Sequence, residues 1–179
     1  QLLFAIALGV AIYFFVQKTK QIRRNIFLGK DKSINDHKTE RWKTMARVAL
    51  GQSKMVVRPV AGILHIIVYV GFILINIEVL EIVIDGLFGT HRALSFLGGV
   101  YDVAIGSFEV LALLVLVACI FFLTRRFISK IPRFHKPEMK GWATKDATYI
   151  LIMEVILMGA LLKMNAADQI LQTRGAEHF

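Results

Sequence analysis

The chain has 179 residues, 56% of them hydrophobic, and a formal net charge of +9. That apolar share exceeds the ~45–50% of a soluble domain, and it is gathered in runs too long and too poor in charge for a soluble core, which excludes an ordinary globular protein. The basic residues lie between those runs, so no soluble basic domain remains to hold a nucleic acid, and the charge asymmetry of a membrane protein explains them better.

The first apolar run, residues 2–16, begins at the second residue of the chain. At 1.5 Å per residue it makes a helix of only about 22 Å, shorter than a bilayer crossing, which predicts that this span starts upstream of Gln1. Its positive charges follow the apolar run instead of preceding it, unlike a signal peptide. Residues 17–58 then form a long basic loop. Within it Trp42, Met45, Ala46, Ala49 and Leu50 recur at helical spacing, with Glu40, Arg41, Lys43 and Arg47 on other faces. This predicts an amphipathic helix lying in the membrane surface.

The second span is expected over residues 59–84. Pro59 suits the first position of a helix, where its missing N–H would have had no partner. Residues 59–77 carry no Asp, Glu, Lys or Arg over 19 positions, close to the ~20 residues that the hydrocarbon core requires. Asp85-Gly86 and Gly89 are read as its end. The third span is expected over residues 101–123, stopped by Arg125-Arg126, and a second basic loop over 124–146. The fourth span is expected over 147–162, with Trp142 as an interfacial anchor and Lys163 able to snorkel outward.

The loops orient the spans. Residues 18–58 hold 12 Lys and Arg against 3 Asp and Glu, residues 124–146 hold 7 against 2, and between Asp85 and Tyr101 the only basic residue is Arg92. The positive-inside rule therefore predicts both basic loops in the cytoplasm, with the N-terminus and Phe179 outside. The single cysteine, Cys119, sits in an apolar run as a small hydrophobe. One cysteine cannot build an iron–sulfur cluster or a structural zinc site within these residues.

Ionisable residues within a span are costly and so are functional candidates. His65 stands out. It follows Arg58 by seven residues, about 10 Å into the membrane from the basic side. Tyr69, Phe72 and Asn76 fall on nearly the same helical face, and Gly62 lies one turn earlier. A small residue beside a histidine, with aromatic rings along the same face, is how a helical bundle offers an axial ligand and a packing surface to a b-type haem. A hydrogen bond to a neighbouring helix is the plainer alternative. A six-coordinate haem needs a second ligand, and none of His37, His91, His135 or His178 shares the depth of His65. Glu154 does, and it can pair with His65, face a haem propionate or relay protons. Glu78, Glu81 and Glu109 lie toward the outer side. They can form an acidic site such as a quinol proton exit, or, as the more frequent case, simply reach headgroup water.

The stretch GQSKMVVRPVAGILHIIVYVGFILINIEVLEIVIDGLFGTHR, residues 51–92, together with ARVALGQSKM before it and MNAAD at residues 164–168, resembles the membrane domain of a bacterial family of iron–sulfur-binding oxidoreductases. Its members are known chiefly from Bacteroidetes-type bacteria. The family is similar to heterodisulfide reductase subunits, and its membrane part to the gamma subunit of respiratory nitrate reductase. The resemblance implies a five-helix domain that binds haem b between its second and fifth helices, followed by a cytoplasmic domain with four-iron clusters. His65 matches the first of two second-helix ligands. The other, ten residues on, is Ile75 here, which cannot bind iron, so the resemblance implies one haem near the cytoplasmic side. The fifth helix and the cluster domain would lie beyond Phe179.

The combined reading is an all-α integral membrane protein with four transmembrane helices, five in the intact domain, and one interfacial helix. Its expected role is electron transfer in a bacterial cytoplasmic membrane, between quinone and an iron–sulfur domain or soluble redox partner, through haem b held by His65. The expected cofactor contacts are His65, Gly62, Tyr69, Phe72 and Glu154, with lipid around the helices. The alternative is a non-redox anchor or a fragment of a proton-coupled transporter, in which the same residues serve packing or proton relay.

Overall fold

A computed structural model describes residues 1–30, 34–55, 57–129 and 141–175. All regular structure among the described residues is helical: α1 (Leu2–Ile26), α2 (Lys38–Met45) continued by a π-helical turn (Ala46–Leu50), α3 (Pro59–Phe88), a short 3-10 turn (Ser95–Leu97), α4 (Gly99–Phe127) and α5 (Trp142–Thr173). Four helices are long and apolar enough to cross a membrane: α1, α3, α4 and α5. The all-α, four-span reading of the sequence is thus borne out. Residues 130–140 of the second basic loop lie outside the described residues, as does His178.

Each long helix continues past its apolar run. α1 carries on through Lys18, Lys20, Arg23 and Arg24, and α5 starts at Trp142 and ends at Thr173. Lys, Arg and Gln are good helix formers, so the change in hydropathy marks where the bilayer should end and not where the helix ends. Arg23-Arg24 and Arg125-Arg126 also sit in the last turns of α1 and α4, where cations complement the helix dipole. Asp85 does not stop α3, as the sequence suggested. It lies within the last turn, and its carboxylate accepts hydrogen bonds from the backbone N–H of Arg92 (2.9 Å) and Ala93 (3.1 Å) and from the Thr90 hydroxyl (2.5 Å). The carboxylate thereby ties the following loop back onto the helix.

The chain divides into two units, residues 1–54 with 81–93, and residues 55–80 with 94–179. In the first, the ring of Phe4 on α1 lies over Gly86 at the end of α3. A Cβ at Gly86 would stand 2.6–2.8 Å from three atoms of that ring, so the close approach depends on the missing side chain.

In the second unit α4 packs along α5, and the buried positions of three helices form narrow stripes. Along them lie Gly71, Ile75 and Glu78 on α3; Phe108, Ala112, Val115 and Cys119 on α4, with Ala118 buried beside them; and Met158, Leu161, Asn165 and Asp168 on α5. Each stripe advances in alternating steps of three and four residues, the spacing of closely aligned helices. Small residues carry the α4 stripe, as expected where lipid offers no hydrophobic drive and contact depends on close packing. On α3, a Cβ at Gly71 would overlap the Val115 side chain. Side chains elsewhere in the spans satisfy themselves on their own helix. The hydroxyls of Ser107 and Thr124 donate to the carbonyls of Val103 (2.7 Å) and Ile120 (2.9 Å), and the Asn76 amide donates to the carbonyl of Phe72. In hydrocarbon such back-bonding removes the need for a partner helix.

Candidate functional site

The N-terminal two-thirds of α3 carry His65. It is half-buried, as is Tyr69, whereas Gly62 is buried and Phe72 is 62% exposed. With ~100° between successive residues, His65, Tyr69, Phe72 and Asn76 lie along one line of the helix. The buried stripe Gly71–Ile75–Glu78 lies about 80–140° around from it. One helix thus has a packed face and, beside it, a histidine-bearing flank that the described part of the chain does not close. Gly62, one turn before His65, is itself buried, and Tyr69 and Phe72 line the flank further on. His65, Gly62, Tyr69 and Phe72 therefore share a helix and a side, as their spacing predicts.

Glu154 does not join them through any hydrogen bond or ion pair among the described residues. It is half-buried on α5 and lies within electrostatic reach of Cys119 on α4. Its neighbour is thus the α4–α5 seam. Among the described residues no group of three or more His, Cys, Asp or Glu is arranged to hold a metal ion. A haem held by one histidine of this chain needs no such group, since the macrocycle supplies four of the iron's ligands. The residues present fit that requirement with a single half-buried imidazole flanked by two aromatic rings, Tyr69 half-buried and Phe72 exposed.

The sequence missed the most deeply buried polar contact. Glu78 Oε1 on α3 accepts a hydrogen bond from Asn165 Nδ2 on α5 at 3.0 Å, and both residues are 1% exposed. Three residues further along α5, Asp168 is 9% exposed and accepts from the Gln172 amide at 3.1 Å. Glu81, one turn beyond Glu78, is 2% exposed. Glu78 and Glu81, for which the sequence left open an acidic site or contact with headgroup water, are both buried, and Glu78 is bonded across helices. Glu109 is half-buried. The usable signal was in MNAAD. Asn165 and Asp168 fall at the same three- and four-residue steps as Met158 and Leu161, so two polar residues occupy core positions of an apolar stripe.

No family model matches the chain, and no solved structure matches it. Among curated proteins, the Bacillus subtilis (strain 168) protein FadF, described as a probable iron-sulfur-binding oxidoreductase, is 32% identical over 140 residues. The match covers 78% of this chain but only 20% of that relative. The chain therefore spans about a fifth of the length of the curated relative it matches.

Proposed function

We propose that this chain is the membrane part of an electron-transfer protein of the iron–sulfur oxidoreductase type, and that it holds one haem b through His65. The observation that carries the reading is the match to FadF. A protein described as iron-sulfur-binding is similar to this chain over most of these 179 residues, yet the chain has one cysteine. Clusters need several thiolates, so the iron–sulfur centres would belong to polypeptide outside this segment, in a cytoplasmic domain following a fifth helix. The membrane segment then needs its own carrier to bring electrons from the bilayer to that domain. The open flank at His65 supports a haem as that carrier, and quinone is the lipid-soluble redox partner that the location favours.

In this reading the haem supplies the one-electron chemistry, and the chain binds and insulates it. His65 would hold the iron, with Gly62, Tyr69 and Phe72 lining the site of the ring. Glu154 acts at longer range on its potential. The charge asymmetry of the loops supports a bacterial cytoplasmic membrane with the basic loops inside and the N-terminus outside. His65 would then lie toward the cytoplasmic side, facing the iron–sulfur domain.

The test is reduction of membranes that contain the full-length protein by a quinol analogue. A b-type absorption band should appear on reduction, followed by the electron paramagnetic resonance signal of reduced clusters. Membranes in which no b-type band forms with either quinol or dithionite would favour the non-redox anchor instead.

A further inference from the structure

The segment between α1 and α3 has a feature that electron transfer does not use. In α2 and the π-helical turn no side chain is buried by the rest of the chain. Trp42 is 62% exposed, Met45 42% and Leu50 64%. A short helix with an indole, a thioether and an isobutyl group open to its surroundings is covered by something else. The charges nearby indicate what. Residues 34–54 hold five basic residues (Lys38, Arg41, Lys43, Arg47, Lys54) and two acidic ones (Asp36, Glu40), a net of +3 with histidine neutral. One of the two acids, Glu40, is engaged with His37 at 3.4 Å, and it points away from Trp42, about 160° around the helix.

The geometry is more specific than a basic helix. The Arg41 guanidinium donates from Nη1 to the carbonyl of Ile34 at 2.9 Å, which draws the preceding strand of chain against α2. The result is a cleft lined by Ile34, Lys38, Arg41, Trp42 and Met45. Its walls are three apolar side chains, and two cations flank them.

We propose that this cleft binds the headgroup of an anionic phospholipid of the bilayer, with the phosphate between Lys38 and Arg41 and the glycerol ester region against Ile34, Trp42 and Met45. A cationic rim over an apolar floor matches a phospholipid at the level where headgroup gives way to acyl chain. The net positive charge selects an anionic lipid over a zwitterionic one, whose own ammonium would be repelled. A docked protein domain would fit an apolar patch equally well, but it would not call for this pair of cations over so small a floor. The proposal needs only that α1 and α3 cross a bilayer, and it is independent of haem at His65.

The test uses the full-length protein with Trp142→Phe, so that Trp42 reports alone for this chain, in nanodiscs of phosphatidylcholine with or without phosphatidylglycerol. With the anionic lipid present, Trp42 emission should move to shorter wavelength and quenching by iodide should fall about two-fold or more, and high salt should weaken this difference. Lys38→Gln should abolish most of the difference between lipids. It leaves the bond from Arg41 to Ile34 in place, and so separates loss of a cation from collapse of the cleft. Arg41→Lys keeps the charge but not the planar fork, and should retain the lipid preference in reduced form. Equal shielding in both lipids would overturn the proposal in favour of non-selective burial of apolar side chains. Shielding that requires an added soluble protein, whatever the lipid, would overturn it in favour of a protein partner.

Discussion

Two faces of α3, about 80–140° apart around the same helix, show opposite ways of carrying polar chemistry in a membrane. Around Gly71, Ile75 and Glu78 the helix is closed: Gly71 lies against Val115, and Glu78 is bonded to Asn165 at 3.0 Å with both side chains 1% exposed. Around His65, Tyr69 and Phe72 it is open, half-buried at best, and Phe72 is 62% exposed. The closed seam spends its polar groups on holding helices in register. The open flank leaves its imidazole half-buried, and in the reading proposed above that imidazole holds a haem. The lesson is that depth alone does not mark a functional residue in a membrane. Glu78 and His65 are both intramembrane ionisable groups, yet one is buried and bonded across helices and the other is half-buried.

Variants of the seam should therefore lower stability without selecting against cofactor, and those of the flank should do the reverse. The largest effect on folding is expected from Gly71→Leu, because a side chain there collides with Val115 and forces α3 from α4. Overpacking of this kind costs about 1–3 kcal/mol, readable as a lower unfolding free energy in mixed micelles, with haem per folded protein unchanged. Asn165→Leu comes next. It removes the donor to Glu78, and interhelical hydrogen bonds in membranes are worth about 0.6–2 kcal/mol. Glu78→Gln keeps a carbonyl oxygen for Asn165 and should cost less than Asn165→Leu. If Glu78→Gln were the more damaging of the two, the charge or proton of Glu78 would matter more than its bond, and the seam would have a function beyond packing. The smallest effect is expected from Glu154→Gln. That variant should fold and keep its haem, and should only raise the midpoint potential, since a nearby carboxylate stabilises oxidised iron.

Sequence alone revealed much of this, for identifiable reasons. Long apolar runs mark α3, α4 and the core of α5 because bilayer thickness dictates their length. The face shared by Gly62, His65, Tyr69 and Phe72 follows from one helical repeat and needs no partner. The extent of α1 through Lys18–Arg24 was not legible, because hydropathy reports the solvent and not the backbone. The pairing of Glu78 with Asn165 was not legible either, because it joins positions 87 residues apart and depends on which face of α5 meets α3. Polar residues at Asn165 and Asp168 in an apolar stripe were the available hint, and a loop-by-loop count of charges passes over them.

The central claim is that His65 is an axial ligand of a haem. The most direct measurement is the reduced-minus-oxidised absorption spectrum of full-length His65→Ala, purified beside the unaltered protein and the Asn165→Leu variant. Alanine in a span carries almost no insertion penalty, so His65→Ala should reach the membrane in normal amount and unfold like the parent. It should nevertheless lack the b-type band, which Asn165→Leu should keep in its folded fraction. A full haem spectrum in His65→Ala would contradict the account, and His65 would then belong with Glu78 as a residue that serves packing.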